Sequence, residues 1–126
     1  MVAVVELRQS ERILIDGPRL EALFHQMGDR AAEGFVMDSI EDISDRLMEI
    51  ELANRDGVLE CVPFKAERVV SLCADIGLVS LAQVASDLGT AAARGDLIAY
   101  RAVWERLVRI GDRSLAQVWE MPGLSI

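Results

Sequence analysis

The chain contains a single histidine, His25, and this limits the chemistry that its side chains can perform. One imidazole excludes a Ser-His-Asp triad, a metal site with two histidines and the paired Glu-x-x-His motifs of di-iron bundles. Cys61 and Cys73 are the two cysteines, and their spacing matches no CxxC or Cys/His zinc motif. We therefore interpret them as reduced thiols, with Cys73 in the core, rather than as a redox pair.

A group of carboxylates is the other candidate for chemistry. Asp38, Glu41, Asp42 and Asp45 are separated by three or four residues, so a helix would place them on one face. This face is either a site for a hard cation or a solvated acidic surface. The second interpretation is favoured because the sequence indicates no ligands from another helix. We predict no metal, no cofactor and no catalytic residue.

Length and charge restrict the class of protein. The 126 residues, 52% of them hydrophobic, predict one compact domain spanning 1–126. The formal net charge of −8 argues against nucleic acid as a partner, because such binding uses clustered Lys and Arg. No run approaches the roughly 18 apolar residues of a membrane span, and charged side chains interrupt residues 1–15 where a signal peptide would be apolar. A cytoplasmic protein without membrane contact is expected.

The spacing of apolar residues predicts helices throughout. Residues 1–15 are ambiguous between an extended segment and a short frayed helix, since several are β-branched. Asp16 is predicted to cap a short helix that ends at Gly28. A second helix is predicted from Asp29, as its cap, to about Leu52, and residues 54–57 are predicted to interrupt the chain.

Three further helices complete the prediction. The third runs from about Val62 to Ile76, and the fourth is capped by Ser80 and closed by 94–95. The last is capped by Asp96 and ends at Pro122-Gly123. Short connections favour antiparallel neighbours, so we predict an all-α fold, an antiparallel up-down four-helix bundle with an additional short N-terminal helix. The basic last helix is expected to pair with the acidic second helix.

Two segments resemble the histidine-phosphotransfer (HPt) domain family. Residues 74–96 (ADIGLVSLAQVASDLGTAAARGD) are similar to the stretch that follows the phospho-site: a small-residue helix end, a Leu-Gly-Leu-type turn, a Leu-Ala-rich helix and a Gly-Asp turn. Residues 15–28 (IDGPRLEALFHQMG) resemble the family's opening helix. The resemblance covers about residues 14–119 and implies a signalling module of a two-component phosphorelay.

The diagnostic family motif, His-x-x-Lys-Gly, is changed at all three positions. Counting back from Gly77 places Glu67 at the phospho-accepting histidine, Val70 at the lysine and Ser71 at the glycine. A phosphoryl group brings about −1.5 to −2 charges and needs cations or N–H donors around it. Glu67 repels it, and an acyl phosphate would use a metal site and a lysine that this neighbourhood does not indicate. We expect no phosphotransfer through residue 67.

The third helix is predicted to carry the site for a partner. Helical spacing predicts that the inward stripe of this helix consists of Ala66, Val69, Leu72, Cys73 and Ile76. The same spacing places Phe64, Glu67, Val70, Ser71 and Ala74 on the face turned away from the core. Apart from Glu67 this face is small or apolar, and Phe64 and Val70 are expected to be exposed side by side, which often marks a binding surface. In the resembling family a receiver domain docks here.

Three hypotheses follow for function. The leading one is a non-phosphorylatable HPt-like module that binds a response-regulator receiver domain or a histidine kinase. In the second, the protein is an active phosphotransfer protein that accepts phosphate on His25, or at a position given by another alignment register. The alternative interpretation of His25 is a boundary or surface residue of a small amphipathic helix. In the third, the apolar face forms a structural homodimer without a signalling partner.

Overall fold

The computed structural model describes residues 12–120, which form five helices and no strand. The helices are α1 (Gly17–Met27), α2 (Asp29–Asp56), α3 (Val62–Asp75), α4 (Val79–Arg94) and α5 (Leu97–Trp119). Helices α2 to α5 form the bundle, and the short α1 precedes them. The predicted all-α fold with an additional N-terminal helix is therefore confirmed. Residues 1–11 and the predicted stop at Pro122-Gly123 lie outside the described residues.

Two of the predicted helix caps are present. The side chain of Asp16 accepts a hydrogen bond from the Arg19 amide at 3.1 Å, and that of Asp96 accepts one from the Ala99 amide at 3.1 Å. A carboxylate at this position satisfies an amide that has no partner inside the helix, and it interacts favourably with the helix dipole. The starts of α1 and α5 are thus determined by residues that the sequence analysis identified.

Other helix ends differ from the prediction. Asp29 is the first residue of α2 rather than its cap, and α2 continues through Asp56 until Gly57 adopts a left-handed conformation with φ of 71°. The predicted interruption after Leu52 was wrong because Asn54 and its neighbours tolerate helical geometry, whereas the turn needs the positive φ of glycine. Ser80 does not cap α4, which begins at Val79.

The hydroxyl of Ser80 instead helps to hold the segment that leads into α1. Its Oγ accepts a hydrogen bond from the Leu14 amide at 2.8 Å, and the Ser80 amide donates to the Leu14 carbonyl at 3.2 Å. The Asp16 amide donates to the Gly77 carbonyl at 2.8 Å, and Arg19 Nε donates to the Asp75 carbonyl at 3.2 Å. These long-range bonds attach α1 to the turn between α3 and α4.

The core is built from one apolar stripe on each helix. The third helix contributes its predicted stripe, Ala66, Val69, Leu72 and Cys73, with Ile76 directly after it, and all five residues are buried. The other elements add the buried residues Leu20, Leu23, Val36, Ile40, Ile43, Ile50, Leu81, Val84, Ala85, Leu88, Leu107 and Ile110. Each large apolar side chain removed from water contributes about 1.5–3 kcal/mol, so these stripes supply the main stabilisation of the bundle.

Helices α3 and α4 approach each other closely. A Cβ placed on Gly89 would lie 3.3 Å from the Cβ of Ala66 and 3.8 Å from the backbone of Pro63. Such distances leave no room for a larger side chain at this crossing without movement of its neighbour. The first two turns of α3 are thereby held against the second half of α4.

Buried polar and thiol groups are consistent with a dry interior. The Tyr100 hydroxyl of α5 donates to the Asn54 Oδ1 of α2, and burial raises the pKa of Tyr100 to about 12. Cys73 is completely buried, and burial raises the pKa of its thiol to about 12. A thiol with so little thiolate at neutral pH is a poor nucleophile, in keeping with the predicted core role. Across residues 12–120, no helix combines the length and apolarity needed to cross a bilayer.

Replacement of Gly77 tests the attachment of α1. Gly77 has a φ of 76°, and an added Cβ would lie 2.8 Å from the carbonyl oxygen of Asp16. We expect Gly77→Ala to lower the free energy of unfolding by about 2–4 kcal/mol, because strain at positive φ and a backbone clash act together. The measurement is chemical denaturation followed by circular dichroism.

Gly95→Ala is the matched control. Gly95 has a φ of 69° but has no atom within 4 Å of an added Cβ, so we expect only the backbone strain of about 1 kcal/mol. Equal losses in the two variants would show that the contact between Asp16 and Gly77 contributes nothing to stability.

Candidate functional site

The outward face of α3 carries four of the five predicted site residues. Phe64 is 79% exposed, and Glu67, Ser71 and Ala74 are also exposed. They occupy this face because the buried stripe of the same helix points to the opposite side, between α2 and α4. The structure thus brings these four side chains onto one ridge, called here the α3 ridge.

Val70 does not belong to the exposed ridge. Its side chain is partly buried and packs against the core, on the flank of α3 that faces α4. The expectation that Phe64 and Val70 are exposed side by side was wrong, because six residues along a helix separate two side chains by about 120° in direction. Phe64 instead borders a groove on the α2 side of α3, together with Glu67 and Ser71.

A chain of ion pairs connects α2 with α3 beside the ridge. Arg68 Nη2 donates to Asp42 Oδ2 at 3.2 Å, and Asp42 Oδ1 lies 3.3 Å from Arg46 Nη1. Arg46 Nη2 donates to Glu49 Oε2 at 3.0 Å, and Lys65 Nζ donates to Glu49 Oε1 at 2.6 Å. Charges alternate along the five residues, so each carboxylate is held between two cations.

This pairing differs from the predicted one. The acidic side chains of α2 were expected to pair with the basic α5, whereas the ion pairs described for Asp42 and Glu49 involve α2 itself and α3. On α5, Arg106 lies 3.9 Å from Asp87 of α4. The α3 cations Lys65 and Arg68 were missed as neighbours of Glu67, because the sequence alone does not show which carboxylates of α2 they reach.

The ion pairs form one wall of a shallow groove between α2 and α3. The groove has a volume of about 480 Å³ and is lined by Arg46, Glu49, Phe64, Lys65, Glu67, Arg68 and Ser71. Cations therefore do lie beside Glu67, contrary to the sequence-based expectation. Lys65 and the two arginines are nevertheless already engaged by carboxylates, so a phosphoryl group here would have to displace those partners as well as approach Glu67.

The network lowers the pKa of Glu49, which lies between Lys65 and Arg46. The hydrogen bond from Lys65 holds the pKa of Glu49 below its ordinary value of 4.5, and the charge of Arg46 lowers it further. Since the folded-state pKa is the lower one, the ionised form of Glu49 favours the fold above pH 4.5. This contribution is lost as the pH falls through the folded-state pKa.

A second groove lies on the other side of the ridge, between α3 and α4. Its volume is about 610 Å³, and its lining is Asp16, Val70, Ala74, Gly77, Leu78, Val79, Ala82, Gln83, Ser86 and Asp87. The residues in its floor and walls are mostly small or apolar, and the charged groups among them are carboxylates. The predicted site residues are therefore divided: Val70 and Ala74 line this groove, and the other three line the first.

The other candidates for chemistry lie apart from this region. His25 is exposed in the last turn of α1. Among residues 12–120, no group of three or more His, Cys, Asp or Glu side chains is arranged to hold a metal ion. Of the four carboxylates considered for a hard cation, Asp42 is engaged by Arg46 and Arg68.

Comparison with solved structures identifies the fold. The chain is similar to the crystal structure of histidine-containing phosphotransfer protein B from Pseudomonas aeruginosa, with a TM-score of 0.75. The sequence identity is 22%, and the match covers 82% of this chain and 89% of that one. At this identity the likeness establishes the fold, which is the helical bundle predicted from the sequence. No model of a protein family matches the chain, and neither does a curated protein.

The ion-pair chain gives a test by pH titration. We expect Lys65→Met to raise the pKa of Glu49 towards its ordinary value, because the largest cause of its lowering is the hydrogen bond from Lys65. Methionine retains the apolar stem of the side chain. The measurement is an NMR pH titration that follows the side-chain carbonyl carbon of Glu49.

Arg68→Met is the matched control, since Arg68 contacts Asp42 rather than Glu49. It should leave the pKa of Glu49 low. An unchanged pKa in Lys65→Met, or equal shifts in both variants, would contradict the assignment.

Proposed function

We propose that this protein is an HPt-like signalling module that has lost the phospho-accepting histidine and acts by binding a receiver domain or a histidine kinase. The fold shared with a phosphotransfer protein supports the phosphorelay context. Helix α3 contains no histidine, since the only one in the chain is His25 on α1. The module is proposed to work in the cytoplasm through α3 and its two grooves, without catalysing a reaction of its own.

The observation that carries this proposal is the exposure of Phe64. A phenylalanine with 79% of its surface in water, on the helix where the resembling family docks its partners, gains about 1.5–3 kcal/mol when a partner covers it. Aromatic side chains at the centre of an interface often dominate its affinity. Ser71 and Ala74 lie about two and three turns beyond Phe64 along the ridge and are small enough to allow close approach.

Glu67 is proposed to take part in recognition rather than in chemistry. A carboxylate is a weak substitute for a phosphorylated histidine, because it carries one negative charge and lacks the phosphoryl oxygens. It still marks the centre of the α3 ridge with a negative charge between the two grooves. A partner that recognises this surface would bind with the same affinity at all times, because its binding would not depend on phosphorylation of this protein.

The direct test is a titration of the isotope-labelled protein with a panel of receiver and kinase domains, followed by backbone-amide NMR. Shifts are expected to cluster at the predicted site residues. Phe64→Ala should weaken binding by about tenfold or more, since truncation of a central aromatic removes more than about 1.4 kcal/mol.

Ile98→Ala is the matched control, because Ile98 is 88% exposed on α5, away from α3. The affinity of the Ile98→Ala variant for the receiver or kinase domain should equal that of the original protein. If no receiver or kinase domain binds, the proposed function is wrong. If both variants bind equally well, docking through Phe64 is wrong. Mass that rises with concentration and falls again in Phe64→Ala would instead favour the homodimer.

Restoration of the family motif tests the position of Glu67. We expect the triple variant Glu67→His, Val70→Lys, Ser71→Gly to accept phosphate from a competent phosphorylated receiver domain, because it supplies the imidazole, the balancing cation and the space for docking. Detection is by radiolabel transfer, in a background carrying His25→Ala. The original protein should remain unlabelled.

Two results would count against this assignment. Failure of the folded triple variant to take label from every donor that binds it would show that residue 67 does not occupy the acceptor position. Labelling of the original protein that disappears in His25→Ala would identify His25 as the acceptor and overturn the non-phosphorylatable assignment.

A further inference from the structure

The two grooves beside the α3 ridge differ in charge. The lining of the α2–α3 groove combines three cations with the carboxylates of Glu49 and Glu67, and most of these charges pair with one another. Within the described residues, the lining of the α3–α4 groove contains Asp16 and Asp87 but no lysine or arginine. The second groove is therefore acidic, while the first is nearly balanced.

The α3–α4 groove also has features that suit the binding of a helix. It runs between two antiparallel helices, and its lining includes the small side chains of Ala74, Ala82 and Ser86 and the apolar side chains of Val70 and Val79. Val79 is 42% exposed. Small residues allow the backbone of a third helix to approach, and its side-chain ridge would fit between those of α3 and α4.

The surrounding charges indicate what such a helix must carry. Asp75 is exposed at the end of α3, and Glu67 is exposed on the α3 ridge. The carboxylate of Asp87 lies 3.9 Å from Arg106, and about half of each side chain is exposed, so that pair contributes little. A second copy of this chain fits poorly as an occupant, because each copy carries a formal net charge of −8.

We infer that the partner binds by placing one amphipathic helix in the α3–α4 groove, with a stripe of small or apolar residues on the floor and lysine or arginine residues along its flanks. This inference rests on the proposed function and specifies the partner's chemistry. The partner's basic side chains pair with Asp87 and with the carboxylates of Asp75 and Glu67 on α3. Phe64 contacts the same partner from the α3 ridge beside this groove.

The test uses the receiver or kinase domain that binds in the titration described above. Ser86→Trp fills the groove from an exposed position on α4 and should weaken binding by about tenfold or more. Ala102→Trp adds the same side chain to an exposed position of α5 and should change affinity by less than about twofold. Amide spectra establish that both variants are folded.

The charge requirement has its own test. Asp87→Lys should weaken binding by about tenfold, and replacement of a lysine or arginine on the partner helix by glutamate should restore part of the loss. Affinity for the original protein should fall as salt is raised, because the Debye length shortens from about 30 Å at 0.01 M to about 8 Å at 0.15 M.

The outcomes separate this inference from the proposed function. Binding that Phe64→Ala weakens but Ser86→Trp and Asp87→Lys leave intact overturns the inference and retains the docking function. If Ser86→Trp weakens binding but neither Asp87→Lys nor added salt does, the partner helix is not basic, and that part of the inference is overturned. The absence of binding by every receiver and kinase domain overturns both. Self-association that Ser86→Trp abolishes identifies a second copy as the occupant and also overturns the inference.

Discussion

The close packing of α3 against α4 is the constraint on which the rest of the molecule depends. Gly89 has no side chain where α4 crosses Ala66 and Pro63, and this absence lets the two helices approach. Because α3 is held on this side, its buried stripe has one orientation, and the opposite ridge with Phe64 must face water. The turn at Gly77 adds a second restraint, since it also receives the segment leading into α1.

This orientation of α3 divides its surroundings into two unlike grooves. On the α2 side, Lys65 and Arg68 reach carboxylates that belong to the neighbouring helix, so the charges are largely satisfied within the protein. On the α4 side, Val70 and Ala74 meet a wall of small residues and carboxylates. Helix α3 is therefore flanked by a hydrophobic, acidic groove on one side of Glu67 and by a groove of mutually paired charges on the other.

The fold of this bundle does not depend on the residues of the phosphotransfer motif. The bundle depends on buried apolar stripes, and none of those stripes needs the histidine, lysine or glycine of the phosphotransfer motif. Substitutions of exposed residues on α3 can change the chemistry of this face while the fold is retained. Surface substitutions seldom alter the free energy of unfolding by more than about 0.5 kcal/mol. Under the proposed function, a docking surface on α3 therefore remains without the acceptor, as fold and function are separable.

The sequence by itself determined the helical class, the inward stripes and the caps at Asp16 and Asp96. It also determined that Phe64, Glu67, Ser71 and Ala74 share one face, because all of these follow from the 3.6-residue period and from local hydrogen bonding. The tertiary structure decided which helices are neighbours. In the folded protein, Asp42 and Glu49 pair with α3 rather than with α5, Val70 lies on a half-buried flank, and Ser80 is hydrogen-bonded to Leu14. Amphipathic spacing specifies which side of a helix is buried, but it carries no information about which helix packs against that side.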